Sequence, residues 1–270
     1  MKLLKTLNLL SIDVVAGAMV CNAVFWRLPD GKSPIPWLHV LVLGLSIFLI
    51  YTVDRLLDNR KMSQIPTERH SFHRKYALSL WVSIGIVLLT LLTLLFFLPM
   101  KTVYVGGMIA GVSAFYLWIV SKISPTSTWQ CGKEIVTTWV YTAGVCGITL
   151  PYRSVSYEAV AMLLLVFQNL LLFSWCEQKK FPMVHSLASY FGEKKTKNII
   201  IFIFALLFLG NLFSLVHSSH HFQQELALLF IVMSSILTVI VFKVDFFLKN
   251  DRYRWIGDGI FLLPTLLLIV

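Results

Sequence analysis

The chain has 270 residues, of which 57% are hydrophobic and only 13% are charged, and its mean hydropathy is +0.78. Soluble globular domains carry about 25% charged residues, so this composition excludes an ordinary soluble domain and predicts an integral membrane protein. The formal net charge of +10 could indicate a nucleic-acid partner. The basic residues stand at the ends of apolar runs, however, which is typical of membrane proteins, and no nucleic-acid partner is predicted.

Apolar runs of about 20 residues, the length that crosses a bilayer as a helix, recur along the whole chain. They are continuous rather than alternating, which excludes a transmembrane β-barrel. Nothing between them is long enough to fold as a separate soluble domain, so we predict one all-α transmembrane domain over residues 1–270. The nine predicted spans, in chain order, are 7–27, 36–54, 76–98, 102–121, 133–150, 157–176, 198–217, 224–246 and 253–270.

Two of these spans carry local signals. The first is similar to a signal peptide, with a basic start and an apolar run, but Asp13 interrupts the run and it continues to Trp26. We therefore predict a transmembrane helix there. The fourth span contains Gly107 and Gly111, a small-xxx-small pattern that allows close helix approach.

The distribution of basic residues supports nine spans. With nine spans, 19 of the 23 Lys and Arg residues fall on the side of the N-terminus. Such an asymmetry predicts a cytoplasmic N-terminus in an inner or plasma membrane, with the C-terminus on the opposite side. Both strongly charged segments, 51–75 and 177–197, then lie on the cytoplasmic face.

The first charged segment opens with two carboxylates one helical turn apart, Asp54 and Asp58, which share a helix face. The repulsion between these two carboxylates has to be offset by a nearby positive charge. Magnesium is one source, since it is typically held by one or two carboxylates together with phosphate oxygens. Ion pairs with Arg55, Arg60 or Lys61 are the alternative, and the spacing alone does not decide between them.

The basic residues of the same segment also have two interpretations. Arg55, Arg60, Lys61 and Arg69 could bind phosphate oxygens, the arginines bidentately. They could instead anchor the protein to anionic lipid headgroups.

No zinc site is predicted. His70 and His73 lack further ligands at zinc spacing and are expected at the rim of the site. The four cysteines are scattered, without metal-binding spacing, and are Cys21, Cys131, Cys146 and Cys176.

The second charged segment contains one acidic residue at the end of the sixth span, Glu177, followed by Lys179 and Lys180. Asn169 lies two turns before Glu177 on the same face. A polar amide in an apolar helix usually faces a partner helix or a cavity rather than lipid.

The fifth and ninth spans add further polar residues. Lys133 and Glu134 open the fifth span on the cytoplasmic side, and Tyr141 lies about two turns further on, where it could face the same cavity. In the ninth span Arg254 and Asp258 are one turn apart, which predicts an ion pair at the membrane interface.

This organisation resembles the UbiA superfamily of intramembrane prenyltransferases, which has nine helices and acidic motifs after the second and sixth. The first family motif reads N-D-x-x-D-x-x-x-D and is followed by Arg-Pro. Asp54 and Asp58 match its last two aspartates, while Ile50 and Tyr51 stand in place of the leading Asn-Asp. Arg69 stands where the arginine of Arg-Pro would be.

The second family motif is usually a pair or trio of aspartates four residues apart. Here Glu177 is its only acid, and Phe181 follows four residues later. The resemblance covers the whole chain in architecture and only part of the motifs.

The resemblance implies Mg²⁺-dependent ionisation of a polyprenyl diphosphate, followed by transfer to an acceptor or by cyclisation. The implied catalytic and metal-binding residues are Asp54, Asp58 and Glu177. The implied substrate-binding residues are Arg55, Arg69, Lys133, Tyr141, Asn169 and Lys180. If the resemblance holds, Asp54 and Glu177 face one cavity.

Two other hypotheses remain open. One is a UbiA-like protein that binds an isoprenoid or membrane lipid through its basic residues without transferring it. The other is a small transporter subunit, although transporters often show internal repeats and none is convincing here. No obligate protein partner is evident.

Overall fold

The computed structural model describes residues 6, 8–61, 68–122, 131–153, 156–181 and 185–269, with the backbone alone at 58–61, 68–70, 120 and 156. This part of the chain is all-helical and contains no strand. Its α-helices are α1 Ile12–Trp26, α2 Trp37–Lys61, α3 Glu68–Lys75, α4 Ala77–Leu95, α5 Met100–Lys122, α6 Lys133–Thr142, α7 Ser156–Lys180, α8 Leu187–Phe191, α9 Glu193–His217, α10 His221–Phe242, α11 Val244–Leu248, α12 Arg252–Gly259 and α13 Leu266–Ile269.

Six of the described helices, α2, α4, α5, α7, α9 and α10, are long and apolar enough to cross a membrane. The helices in the other three predicted spans are shorter or interrupted. Helix α1 has 15 residues, α6 passes into a π-helical turn at Ala143–Gly147, and Pro264 lies in a 3-10 stretch between α12 and α13. Proline removes a backbone donor and disturbs the preceding helical turn, which explains the last interruption.

The first charged segment, 51–75, is helical throughout its described part. Helix α2 continues to Lys61, so Asp54 and Asp58 lie on a helix that extends beyond its apolar part. Helix α3 then covers Glu68–Lys75. Residues 62–67 lie outside the described part of the chain.

Helix α7 is the centre of the bundle. It is the most buried of the six long helices and packs against α6, α9, α10 and α12. Its side chains Met162, Leu165 and Trp175 are almost completely buried. Helix α12 approaches closely at Gly257, where a Cβ would lie only 2.5 Å from Oδ1 of Asn169.

Helices α4 and α5 form the periphery. They are the least buried of the six, and Phe96 just after α4 and Met108 on α5 are strongly exposed apolar residues. Apolar exposure of this kind suits a lipid-facing surface. The pattern at Gly107 and Gly111 allows a close helix approach, but a Cβ at either position meets no described atom within 4 Å.

Candidate functional site

One cavity of about 1620 Å³ runs through the bundle between α2, α4, α5 and α6 and ends beside α7 and α12. Its body is lined by apolar side chains of α2 and α4, including Leu43, Ile47 and Leu91, and by small residues of α5, including Gly106 and Ala110. The small residues of α5 therefore widen a cavity instead of tightening a helix contact.

Charged side chains line the end of the cavity where α2 and α7 end and where α6 and α12 begin. We call this end the charged mouth. It consists of Asp54, Arg55, Lys133, Glu134, Glu177, Lys180, Asp251, Arg252 and Arg254. With five basic and four acidic residues, the charged mouth attracts anions only weakly as a whole, so any preference for an anion depends on individual contacts.

Asp54 pairs with Lys133, whose Nζ lies 3.3 Å from Oδ1 of the carboxylate. The aspartate side chain is only 15% exposed. This ion pair joins α2 to α6, so neither metal binding nor a local pair with Arg55 is needed to offset the negative charge of Asp54.

Glu177 pairs with Arg254, which joins the end of α7 to the start of α12. The Arg254 guanidinium also donates from Nε to the Tyr253 hydroxyl at 3.2 Å and lies 5.8 Å from the ring centroid of Phe173. Since both partners are only partly exposed, this pair is better protected from solvent screening than a surface pair. The sequence pairs Arg254 with Asp258, one helical turn away, and does not predict Glu177 as its partner.

Two further contacts hold the charged mouth together. Lys180 pairs with Asp251 and its ammonium lies 5.7 Å from the ring centroid of Tyr253. Glu134 accepts from the backbone N–H of Leu187 at 3.1 Å. Glu134 thereby holds the start of the short helix α8 against α6.

Five polar atoms of cavity-lining residues have no hydrogen-bond partner among the described residues. They are Nδ1 of His39, Nε of Arg55, Oε2 of Glu134 and the hydroxyls of Tyr116 and Tyr141, all removed from solvent. Tyr141 is only 8% exposed. A buried polar atom without a partner is costly, so each of these atoms is a natural contact for a ligand.

Among the described side chains, no group of three His, Cys, Asp or Glu residues is placed to hold a metal ion. Asp54 and Glu177 each pair with a basic residue through one carboxylate oxygen. Asp58 lies on α2, but its side chain is outside the described residues.

The predicted site residues are placed in three ways. Asp54, Arg55, Lys133, Tyr141, Glu177 and Lys180 all line the one cavity. Asn169 does not line it and is buried where α7 meets α12. The side chain of Arg69 falls outside the described residues, and so does that of His70. His73 is buried beside Phe72, not at the rim of the cavity.

Sequence reasoning did not assign four residues of the charged mouth to the site, nor Tyr116 beside it. The four are Glu134, Asp251, Arg252 and Arg254. A usable signal existed for Glu134, because it is adjacent to Lys133 at the same helix start. Tyr116 offered no such signal, since it lies in an apolar run and only the packing of α5 shows that it faces the cavity.

Thiol chemistry has little support at this end of the molecule. All four cysteines are free. Desolvation raises the pKa of the Cys131 thiol, just before α6, above its ordinary value. A raised pKa keeps the thiol protonated at neutral pH and therefore a poor nucleophile.

Comparison of the chain with protein-family models, with curated proteins and with solved structures finds no match. The similarity to the UbiA superfamily therefore rests on the residues and motifs described above and remains a prediction. The fold and the site together define an all-helical, membrane-embedded protein with an apolar cavity that is charged at one end.

Proposed function

We propose that this protein binds a polyprenyl diphosphate inside the membrane, with the diphosphate at the charged mouth and the chain in the apolar body of the cavity. The cavity itself carries this proposal. Its volume of about 1620 Å³ exceeds the roughly 300–1,000 Å³ of ordinary ligand sites, which leaves room for a long apolar chain. Charged side chains are concentrated at one end, as an amphipathic anion requires.

Basic residues hold the diphosphate in this proposal. Arg55 supplies an unpartnered buried Nε, and its planar guanidinium suits phosphate oxygens. Lys133 and Lys180 line the same end, each already paired with a carboxylate. Diphosphate oxygens compete with those carboxylates, and the chain gains affinity by leaving water or lipid headgroups for an apolar wall.

Prenyl transfer to an unknown acceptor, or cyclisation, is the second candidate function. It is favoured by the placement of Asp54 and Glu177 on one cavity, as the resemblance to intramembrane prenyltransferases implies. In that reaction the bond between the first carbon of the chain and the diphosphate oxygen breaks, and the diphosphate leaves with the electron pair. An acceptor bonds to that carbon and loses a proton.

Changing Asp54 to Asn separates the two candidates. If basic residues hold the diphosphate, the variant frees Lys133 from its carboxylate. Geranylgeranyl diphosphate should then bind about two- to fivefold more tightly, which is the range expected for the loss of a partly exposed ion pair. If Asp54 serves magnesium-dependent transfer, pyrophosphate release should require added Mg²⁺ and should fall by on the order of a hundredfold. Binding and pyrophosphate release are measured on purified protein in detergent, with and without Mg²⁺.

Asp245→Asn is the matched control, since Asp245 is exposed and lies outside the cavity lining. It should leave both measurements unchanged. Weaker binding in Asp54→Asn, with no change in Asp245→Asn, would contradict direct binding by the basic residues. Pyrophosphate release that is absent from the wild type at every Mg²⁺ concentration would remove the transferase.

The membrane arrangement that we propose has nine crossings, with the N-terminus cytoplasmic and the C-terminus on the opposite side of an inner or plasma membrane. The placement of 19 of the 23 Lys and Arg residues on one side supports it. An odd number of crossings puts the termini on opposite sides, whereas six would put them on the same side. Reporter proteins fused to each end distinguish these arrangements.

A further inference from the structure

A hydrogen-bonded set of side chains from three segments lies at the far end of the cavity, and this set carries an inference on chain length. His39, two residues into α2, and Thr102, at the start of α5, both line the cavity. We call these two residues the floor. Nε2 of His39 and Oγ1 of Thr102 are 3.1 Å apart and share a hydrogen bond.

Aromatic residues support the floor from behind. The Tyr152 hydroxyl lies 3.1 Å from Oγ1 of Thr102, so the bond between His39 and Thr102 continues into a third segment. The Trp26 ring packs edge-on against His39, with ring centroids 5.2 Å apart, and lies 5.3 Å from Tyr152. Two bulky rings behind a hydrogen-bonded pair make a fixed end wall rather than a loose gap between helices.

The distance from the floor to the charged mouth follows from the helices that line the cavity. On α2, His39 and Asp54 are 15 positions apart, which corresponds to about 22 Å at 1.5 Å per residue. On α5, Thr102 and Tyr116 are 14 positions apart, or about 21 Å. Two independent helices thus define nearly the same length of cavity.

We infer that the floor sets the longest chain that the cavity accepts, at about four isoprene units. An extended chain advances roughly 1.2 Å per bond, so about 22 Å holds roughly 18 bonds, and each isoprene unit contributes four. The inference rests on the proposed function and deepens it, because it names the substrate class as a diphosphate with a chain close to geranylgeranyl. A longer chain that stays extended meets the side chains of His39 and Thr102.

Gly106 offers a clean test, since it lines the cavity one helical turn from Thr102 and a Cβ there meets no described atom within 4 Å. Gly106→Leu should fill the space just above the floor without disturbing helix packing, and leucine is a better helix former than glycine. Gly111→Leu is the matched control. It lies on the same helix in equally open space but outside the cavity lining.

The test measures binding of geranyl, farnesyl, geranylgeranyl and solanesyl diphosphate to purified protein in detergent. Wild-type affinity should rise up to geranylgeranyl and fall at solanesyl diphosphate. Gly106→Leu should lose about tenfold or more in affinity for geranylgeranyl diphosphate and change less than about threefold for geranyl diphosphate, because about 6 Å of chain space is removed. Gly111→Leu should follow the wild type.

The outcomes separate the two levels of the proposal. If no diphosphate of any length binds the wild type, the proposed function fails. If all bind but solanesyl diphosphate binds as tightly as geranylgeranyl, or if Gly106→Leu weakens every chain length equally, only the role of the floor fails. Both glycine variants should have the same Tm as the wild type, which shows that the binding comparison concerns folded protein.

Discussion

Replacing Arg55 with alanine is expected to weaken binding of geranylgeranyl diphosphate by about ten- to a hundredfold. A hydrogen bond to a charged group contributes about 1.5–3 kcal/mol, and each 1.4 kcal/mol corresponds to a tenfold change in affinity. Arg55 lines the charged mouth with a buried Nε that has no hydrogen-bond partner in the described part of the chain. The variant therefore removes a ligand contact without breaking a described ion pair.

The comparison uses two further variants. Arg55→Lys keeps the charge but loses the planar fork, so it should recover only part of the affinity. Arg74→Ala removes an exposed arginine on α3, outside the cavity lining, and should bind like the wild type. Equal losses at Arg55 and Arg74 would mean that basic residues act through general attraction to lipid headgroups rather than at the cavity.

Breaking the pair between Glu177 and Arg254 should have the largest effect on stability. Either Glu177→Ala or Arg254→Ala leaves a partly buried charge without its partner, next to the rings of Phe173 and Tyr253. Exposed pairs contribute up to about 1 kcal/mol, and breaking a buried pair costs about 3–5 kcal/mol, so a loss of roughly 1–3 kcal/mol is expected here. This corresponds to a fall of roughly 2–12 °C in Tm at about 2–4 °C per kcal/mol.

A double-mutant cycle isolates the pair. The stability losses of the two single variants, added together, should exceed the loss in the double variant by about 1 kcal/mol or more. The reason is that the two residues act as one unit. Glu193→Ala provides the control, because its pair with Lys179 has a carboxylate side chain that is 61% exposed and should contribute little. Strictly additive losses would show that Glu177 and Arg254 stabilise the bundle separately.

The residues of the charged mouth that could be predicted share one property, a position at the end of an apolar run. Asp54, Glu177, Lys133 and Lys180 all stand close to the end of an apolar run and line the same end of the cavity. Hydropathy and charge asymmetry are sufficient to find such positions. The same reasoning fails for Asn169, because a residue inside a span can face either the cavity or a neighbouring helix.

The ion-pair partners could not be predicted, since they join residues distant in sequence. Asp54 and Lys133 are 79 positions apart, and Glu177 and Arg254 are 77 apart. Spacing within one helix indicates neighbours at three or four positions and contains no information on which helix lies alongside. The pairing matters for the proposed function, because it makes these carboxylates partners of basic residues.

The glycines of α5 illustrate the same difficulty. A small-xxx-small pattern allows a close approach but does not supply the helix that approaches. Here the same absence of side chains leaves open space along α5, and Gly106 and Gly107 line the cavity. Whether a small-residue face packs or lines a cavity depends on the path of the neighbouring helices.

Binding of geranylgeranyl diphosphate and of geranylgeraniol, measured side by side on the wild-type protein, tests most directly whether the cavity binds an amphipathic anion at its charged mouth. Inorganic pyrophosphate serves as the ligand without a chain. The diphosphate should bind roughly tenfold or more tightly than either partial ligand, because only it uses both the charged mouth and the apolar body. Equal affinity for the diphosphate and the alcohol, or no saturable binding of the diphosphate, would contradict the proposal.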